Sequence, residues 1–351
     1  MPTFTAEKLE QITAAVFQAA GTPEDDARSV AQLMVWANLV GHDSHGVIHI
    51  PRYVGQIKEG LIVPGATPEV IKDTPSAAMI DGHWNFGHVV AKKGVELAIK
   101  KARQTTIACV SLAHLNHIGR VGAYPTMAAQ AGMAAIACCS SGGSGRQVVP
   151  FGGREGRLGT NPISIAFPSR MEGPILLDYA SSASAAGKIR VYRNRGQQLP
   201  AGWIVNKEGA PTRDPNDFYA DGALLPLGGD QGHKGYALAF LVDILGGILS
   251  RDGYAKEGVT RFSNGAFMIV IDINTFVPVS TLMDEIEDMT RFIKTSPPVP
   301  GVTEVLYPGE KEAKSENERR AKGIEIEDET WRQIQGVIRE YGLEQALAPL
   351  P

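Results

Sequence analysis

Apolar positions along this chain follow two periods, and the switch between them divides it. Leu9, Ile12, Val16 and Ala20 recur at helical spacing behind Thr5, a residue able to cap the helix, and Gly21 stands where such a helix would end. A second stripe, Val30, Met34 and Ala37, follows "TPED", where Thr22 is expected as N-cap, Pro23 as the first helical residue and Asp25 as a capping-box variant. That helix should stop near Gly41. Beyond Pro51, the positions of Tyr53, Val54 and Ile57 predict a third helix, closed by Gly60.

After residue 76 short apolar runs take over. Strands are predicted at 77–82, 107–112, 133–141, 163–168, 175–180 and 267–273, with helices at 89–104 and 125–132 between the early ones. This alternation of helix with buried strand reads as α/β and by itself favours a parallel sheet. The apolar run "GYALAFLVDILGGIL" (235–249) is interrupted by Asp243 and too short to span a bilayer, so it is expected to be a core helix. Ser280 should cap a helix carrying Leu282, Ile286, Met289 and Ile293, and Asp328 should cap a last one over 328–342. Residues 309–323 read as a solvated helix with paired charges. The expected division is an N-terminal helical segment (1–75) packing with a C-terminal one (297–351), around a central α/β region (76–296).

Composition narrows the partners. A chain of 351 residues, 43% hydrophobic and 21% charged, is ordinary globular protein. The net charge of -4 and scattered basic residues offer no footprint for nucleic acid or for a membrane surface, leaving a small molecule as the expected ligand. Cys109, Cys138 and Cys139 lie in apolar strand-like runs, and "MPTFTAEKLEQ" lacks the pattern of a signal peptide. A reduced, cytoplasmic location follows as the expectation.

Candidate chemistry begins with "GHDSHGVIHIPRY" (41–53), which sets His42, His45 and His49 in one short span. His45 and His49 have the four-residue spacing of a helical zinc site, but Gly46, Val47 and Ile48 lie between them and no Glu is present to act as base. No metal is therefore expected, although a metal-dependent hydrolase built on residues 42–49 stands as the rival reading. Neither a Walker loop nor G-x-G-x-x-G follows a strand, yet the glycine-rich stretch 141–162 offers backbone N–H groups suited to phosphate. His117 in "HLNHIGRVG" falls just past a buried strand, where α/β proteins place ligands, and Asp178 ends another apolar strand. Lys234 opens the helix in "GHKGYAL", against the macrodipole, which favours some compensating anion.

Together "GHDSHGVIHIPRYVGQI", "NFGH", "NHIGRVG", "VVPFGG", "GTNP", "LLDYA", "GHKGYAL" and "LYPGE" resemble, in order and over nearly the whole chain, the malate/L-lactate dehydrogenase family unrelated to the Rossmann lactate dehydrogenases. The likeness is greatest to its hydroxycarboxylate dehydrogenase branch. It implies a non-Rossmann α/β fold whose central sheet is mixed or largely antiparallel, with flanking N- and C-terminal helices. It also implies a homodimer that interconverts 2-hydroxy and 2-oxo acids with NAD or NADP, NADH being placed slightly ahead. The same family includes cyclic-imine reductases, which gives a second enzymatic reading.

Carried over by position, the resemblance makes His117 the proton-transfer residue, with Ser44 and His45 on the substrate side. It brings His49, Arg52, Tyr53 and Asn116 to the substrate, and Ser140, Ser141, Thr160, Asn161, Asp178, Tyr179, Ala180, Lys234, Gly309 and Glu310 to the dinucleotide. Many relatives have Arg where this chain has His49. Guanidinium grips a carboxylate bidentately and imidazole cannot, so either Arg52 is the substitute clamp or the substrate's carboxylate is held elsewhere, and the substrate's identity does not carry over.

Overall fold

A computed structural model describes residues 1–143 and 145–350. Ser144, within the expected glycine-rich loop, and Pro351, at the end of the expected C-terminal segment, lie outside the described residues.

The first helix, Ala6–Ala19, begins as its sequence predicts: Thr5 accepts a hydrogen bond from the Lys8 N–H, and Gly21 adopts a φ of +93° past its end. Leu9, Ile12 and Val16 are fully buried. Three other starts differ from expectation by a residue or two. Pro23, Pro278 and Glu327, all with extended ψ, take the N-cap positions of helices Glu24–Leu39, Val279–Lys294 and Asp328–Glu340, so Thr22, Ser280 and Asp328 are not caps. No side-chain cap is made at these ends; Glu24, Asp25 and Asp26, or Asp328 and Glu329, instead oppose the positive end of the dipole.

Seven strands form the central sheet, in the spatial order Glu69–Asp73, Ala77–Asp81, Ile107–Ala113, Ala266–Ile271, Ala134–Cys139, Ile163–Phe167, Ile175–Tyr179. Only the pairing of Ala77–Asp81 with Ile107–Ala113 is parallel, bridged by helix Gly87–Thr105. The parallel expectation drawn from alternation alone is thus corrected, and the mixed sheet is the one the resemblance implies. The reason lies in strand insertion. Ala266–Ile271 runs antiparallel to both Ile107–Ala113 and Ala134–Cys139, so those two strands share a direction yet are separated by a strand from far along the chain. Edge strand Glu69–Asp73 is exposed at every residue, so it carries no buried-face alternation for a sequence reading to detect.

Two principal cores result. Strands and helices Gly87–Thr105 and Ala123–Gln130 enclose one, through Val90, Val95, Val110, Leu112, Tyr124 and Val270. The other joins the chain termini: Thr3–Phe4 pairs with Ile324–Glu325, and Leu9, Ile12, Met34, Tyr53, Trp331 and Ile334 share one cluster.

The run 235–249 is helical over His233–Val242 and continues as a π-helix over Asp243–Ile248, but it is not a core helix. Its small residues face inward. Methyl groups at Gly246 and Gly247 would lie 2.7 Å and 2.2 Å from the carbonyl oxygens of Gly265 and Gly253. The large side chains are left outside, Phe240 at 51% and Leu241 at 55% exposure, with Ile244, Leu245, Ile248 and Leu249 beside them.

Candidate active site

The helix Glu24–Leu39 ends at Gly41, and the chain makes two 3-10 turns, Asp43–His45 and Val47–His49, before helix Ile50–Lys58 begins. Asn38 holds this passage: its Nδ2 donates to Asp43 at 2.7 Å and its Oδ1 accepts from the Val47 N–H at 3.0 Å. A methyl group at Gly46 would sit 2.1 Å from Asn38 Oδ1, so the turn requires that glycine. Arg319, from helix Glu310–Lys322, grips Asp43 through both terminal nitrogens, at 2.6 and 3.0 Å. That helix has the expected exposed pairs, Glu316 with Arg320 and Glu318 with Lys322. Its other face closes the site.

The clamped turns, the loop after strand Ile107–Ala113 and the start of helix Gly87–Thr105 bring four imidazoles together. His45 stacks on His117 with ring centroids 5.7 Å apart, and His49 lies 5.1 Å and His88 6.4 Å from the same ring. His117 Nδ1 is 2.6 Å from the Tyr53 hydroxyl, and His45 Nδ1 is 3.0 Å from Ser44 Oγ. His49 donates from Nε2 to the Ser44 carbonyl at 2.9 Å. Asn116 is buried, and its Oδ1 accepts the His117 N–H at 2.7 Å. His42 turns away, its Nε2 3.4 Å from Glu312. Among the described residues no three His, Cys, Asp or Glu side chains converge as metal ligands.

Burial keeps these rings neutral. It lowers His45 to about 4 and His49 and His88 to about 3, with neighbouring His and Arg charges adding to the effect. His117 is held well below its ordinary value, again by burial first and then by His49, His45, Arg52 and His88. A neutral His49 whose Nε2 is already bonded is a poor carboxylate clamp. Arg52 is exposed and packs over the Phe262 ring, 5.5 Å from its centroid.

A cavity of about 590 Å3 opens beside this cluster, lined by Ser44, His45, Thr160, Asp178, Tyr179 and Ala180 among the expected residues. Its lining also includes groups that the sequence reading did not single out, Arg120 above all. This guanidinium is buried, lies 3.9 Å from Asp178 and stacks over Trp36, yet its Nε and Nη1 have no hydrogen-bond partner. Asp178 Oδ2 is likewise unpartnered, and burial raises its pKa while Arg120 opposes the rise. "HIGRVG" placed Arg120 three residues past His117, which is the signal that could have found it. Arg319 is spent on Asp43, but Arg120, Lys188 and Lys311 also line the cavity, against Asp178 and Glu312 as its lining carboxylates, so the cavity favours an anionic ligand.

The remaining expected residues lie elsewhere. Ser140 donates to Asp243 at 2.6 Å, and Asn161 accepts the Ser141 N–H while donating to the Ala239 carbonyl, a network behind the cavity wall. Gly309, with a φ of +95°, lines an adjoining cavity of about 570 Å3 that shares Val40, Arg120 and Glu312 with the first. Glu310 is buried and bonded to Lys294, Lys314 and the Tyr307 N–H. Lys234 is exposed and is not among the lining residues of the main cavity.

A mixed α/β sheet thus carries an imidazole cluster beside a cavity with buried cationic lining, groups that an enzyme can use for proton transfer. The family profile described as malate/L-lactate dehydrogenase matches residues 4–335, and the chain belongs to that family. It is 38% identical over 346 residues to the malate dehydrogenase of Pyrococcus horikoshii, covering 96% of this chain and 95% of that protein. Hydroxycarboxylate dehydrogenase B of Escherichia coli K12 is 35% identical over 347 residues, 97% and 94% of the two chains. The solved structure of the Pyrococcus horikoshii malate dehydrogenase superposes with a TM-score of 0.89 over 98% of this chain and 96% of that one, at 36% identity. The chain is accordingly an oxidoreductase of the 2-hydroxy acid dehydrogenase type, and this family implies a pyridine nucleotide. The residues fit such a group: a large cation-rich cavity, continuous in its lining with a second, presents buried nitrogens and oxygens without partners.

Proposed function

We propose that this protein interconverts a 2-hydroxy acid and its 2-oxo acid with NAD(H), or with NADP(H) as the second choice. The nicotinamide, when bound, supplies or takes up the hydride at C2. His117 moves the accompanying proton. With its hydrogen on Nδ1, the ring donates to the Tyr53 oxygen and leaves the Nε2 lone pair free to accept the hydroxyl proton during oxidation. The imidazolium so formed keeps Tyr53 as its acceptor and returns the proton in the reverse reaction. His45, oriented by Ser44, polarises the substrate oxygen, and Arg120 is the buried cation available to anionic groups. Thr160 and Asp178 to Ala180 would hold the dinucleotide along the cavity wall, with Gly309 serving the adjoining one.

The observation that carries this reading is the Tyr53–His117–His45 arrangement, whose His45 lines a cavity with buried cationic groups. The test is a panel of 2-oxo acids incubated with NADH and NADPH separately. Oxidation of either dinucleotide that depends on the acid supports it; a flat response across the panel overturns it.

We also propose a homodimer. The uncovered large residues of 240–249 form an apolar strip without charge to select a different partner, which suits a self-complementary contact. Among the described residues no helix is long and apolar enough to cross a membrane. The three free thiols support a reducing, cytoplasmic location.

A further inference from the structure

Asn264 lies in the stretch "FSNGAF", two residues ahead of strand Ala266–Ile271. Antiparallel pairing sets Ala266 opposite Leu112 on one side and Cys139 on the other, so Asn264 stands level with the chain just past the carboxyl ends of both neighbouring strands. One of those passages carries His117; the other begins with Ser140. Asn264 is only 3% exposed, and its side-chain amide is fully used.

The backbone N–H of Asn264 donates to the Leu115 carbonyl at 3.1 Å, and its Oδ1 accepts the Ile118 N–H at 3.2 Å. One residue thus holds both ends of the arc Leu115–Ile118, with Asn116 and His117 between them. Its Nδ2 donates to the carbonyls of Ser140 at 3.0 Å and Ser263 at 3.1 Å. Ser140 is itself fixed, its N–H on the Gly265 carbonyl at 2.8 Å and its hydroxyl on Asp243 at 2.6 Å. The amide has a single workable orientation, because turning it over would set NH2 against an N–H and an oxygen against a carbonyl. Asn264 is not among the residues lining the main cavity, so its reach toward the chemistry runs through the loop.

We propose that Asn264 is a positioning residue for proton transfer. It sets the arc Leu115–Ile118, and through it the His117 ring, against the Tyr53 hydroxyl and the substrate oxygen. The second of these placements rests on the dehydrogenase reading; the first does not.

Asn264→Ala removes the side-chain hold and leaves the backbone bond to Leu115. With a 2-oxo acid that the wild type reduces, kcat should fall about 10- to 100-fold, as for a misplaced acid–base group, while KM for NADH stays within about twofold. In a His117→Asn background the same substitution should lower the residual kcat by less than about twofold, since groups acting as a unit are not additive. A general structural role would lower both backgrounds alike. Equal losses therefore overturn the proposal, as does a wild-type kcat in Asn264→Ala. Should the alanine protein lack a cooperative thermal transition, Asn264→Ser, whose shorter side chain cannot span both partners, takes its place in the same comparison.

Proton magnetic resonance reads the ring without turnover. The signal of His117 Nδ1–H, identified by its loss in Tyr53→Phe, should shift or broaden in the Asn264 variant, and an unmoved signal overturns the positioning. Wild-type protein inert toward every 2-oxo acid would sink the dehydrogenase reading instead, and this signal would still decide the placement of His117.

Discussion

Tyr53 and His117, 64 residues apart in the chain, meet in a 2.6 Å hydrogen bond at the centre of the imidazole cluster. The phenol is fully buried, and burial raises its pKa, so it remains protonated. Its oxygen can therefore receive the Nδ1 hydrogen of an imidazolium without becoming a competing base. Tyr53→Phe should lower kcat for hydroxy acid oxidation by about fivefold, the equivalent of one ordinary hydrogen bond. Loss of that acceptor disfavours the imidazolium, so the acid limb of the kcat/KM profile should move to lower pH. A limb that stays put while kcat falls would make Tyr53 a packing residue only.

Replacing the proton carrier has a larger effect. His117→Asn should lower kcat by about 10²–10⁴, the usual contribution of a positioned acid–base group. NADH affinity, read by fluorescence, should change little. Full turnover in the folded variant would remove His117 from the mechanism.

Neutral burial of His45, His49 and His88 makes stability depend on pH. Each has a folded-state pKa below the ordinary value of 6.5, falling to about 4 for His45 and about 3 for the other two. Between these values and 6.5 the unfolded chain binds more protons, so stability is complete above that range and declines as pH falls through it. The slope approaches about 1.4 kcal/mol per pH unit for each ring kept neutral. Calorimetric Tm measured downward from neutrality should drop steadily; a Tm constant to about pH 5 contradicts the burial argument.

Gly119 adjoins the same cluster. It has a φ of +70°, and an added methyl would lie 2.4 Å from His88 Nε2. Gly119→Ala should destabilise the protein by about 1–3 kcal/mol through backbone strain and contact together. Chemical denaturation would show it as a lower midpoint, and an unchanged midpoint would mean that the His88 ring can retreat.

The strip 240–249 predicts assembly. Phe240→Asp places a charge at the start of the uncovered apolar strip, so light scattering should show a dimer giving way to monomer. A wild-type monomer at micromolar concentration would refute the dimer.

Local pattern was enough for most elements and for displaying the imidazoles that the structure gathers. Leu9, Ile12 and Val16 announced a buried helical face, and the apolar runs announced strands, because solvent exposure imposes those periods regardless of what packs against them. "GHDSH" and "NHIGR" likewise displayed their imidazoles. Order within the sheet was not legible, since a strand buried on both faces reads alike whether its neighbour is parallel or antiparallel; only the insertion of Ala266–Ile271 decides it. The same limit applied to 235–249, where apolar content pointed to a core and the glycines turned the large side chains outward. Folding alone brought Tyr53 to His117, left Arg120 Nε and Nη1 and Ser184 Oγ buried without hydrogen-bond partners, and kept His49 neutral, because contact and desolvation depend on residues distant in sequence.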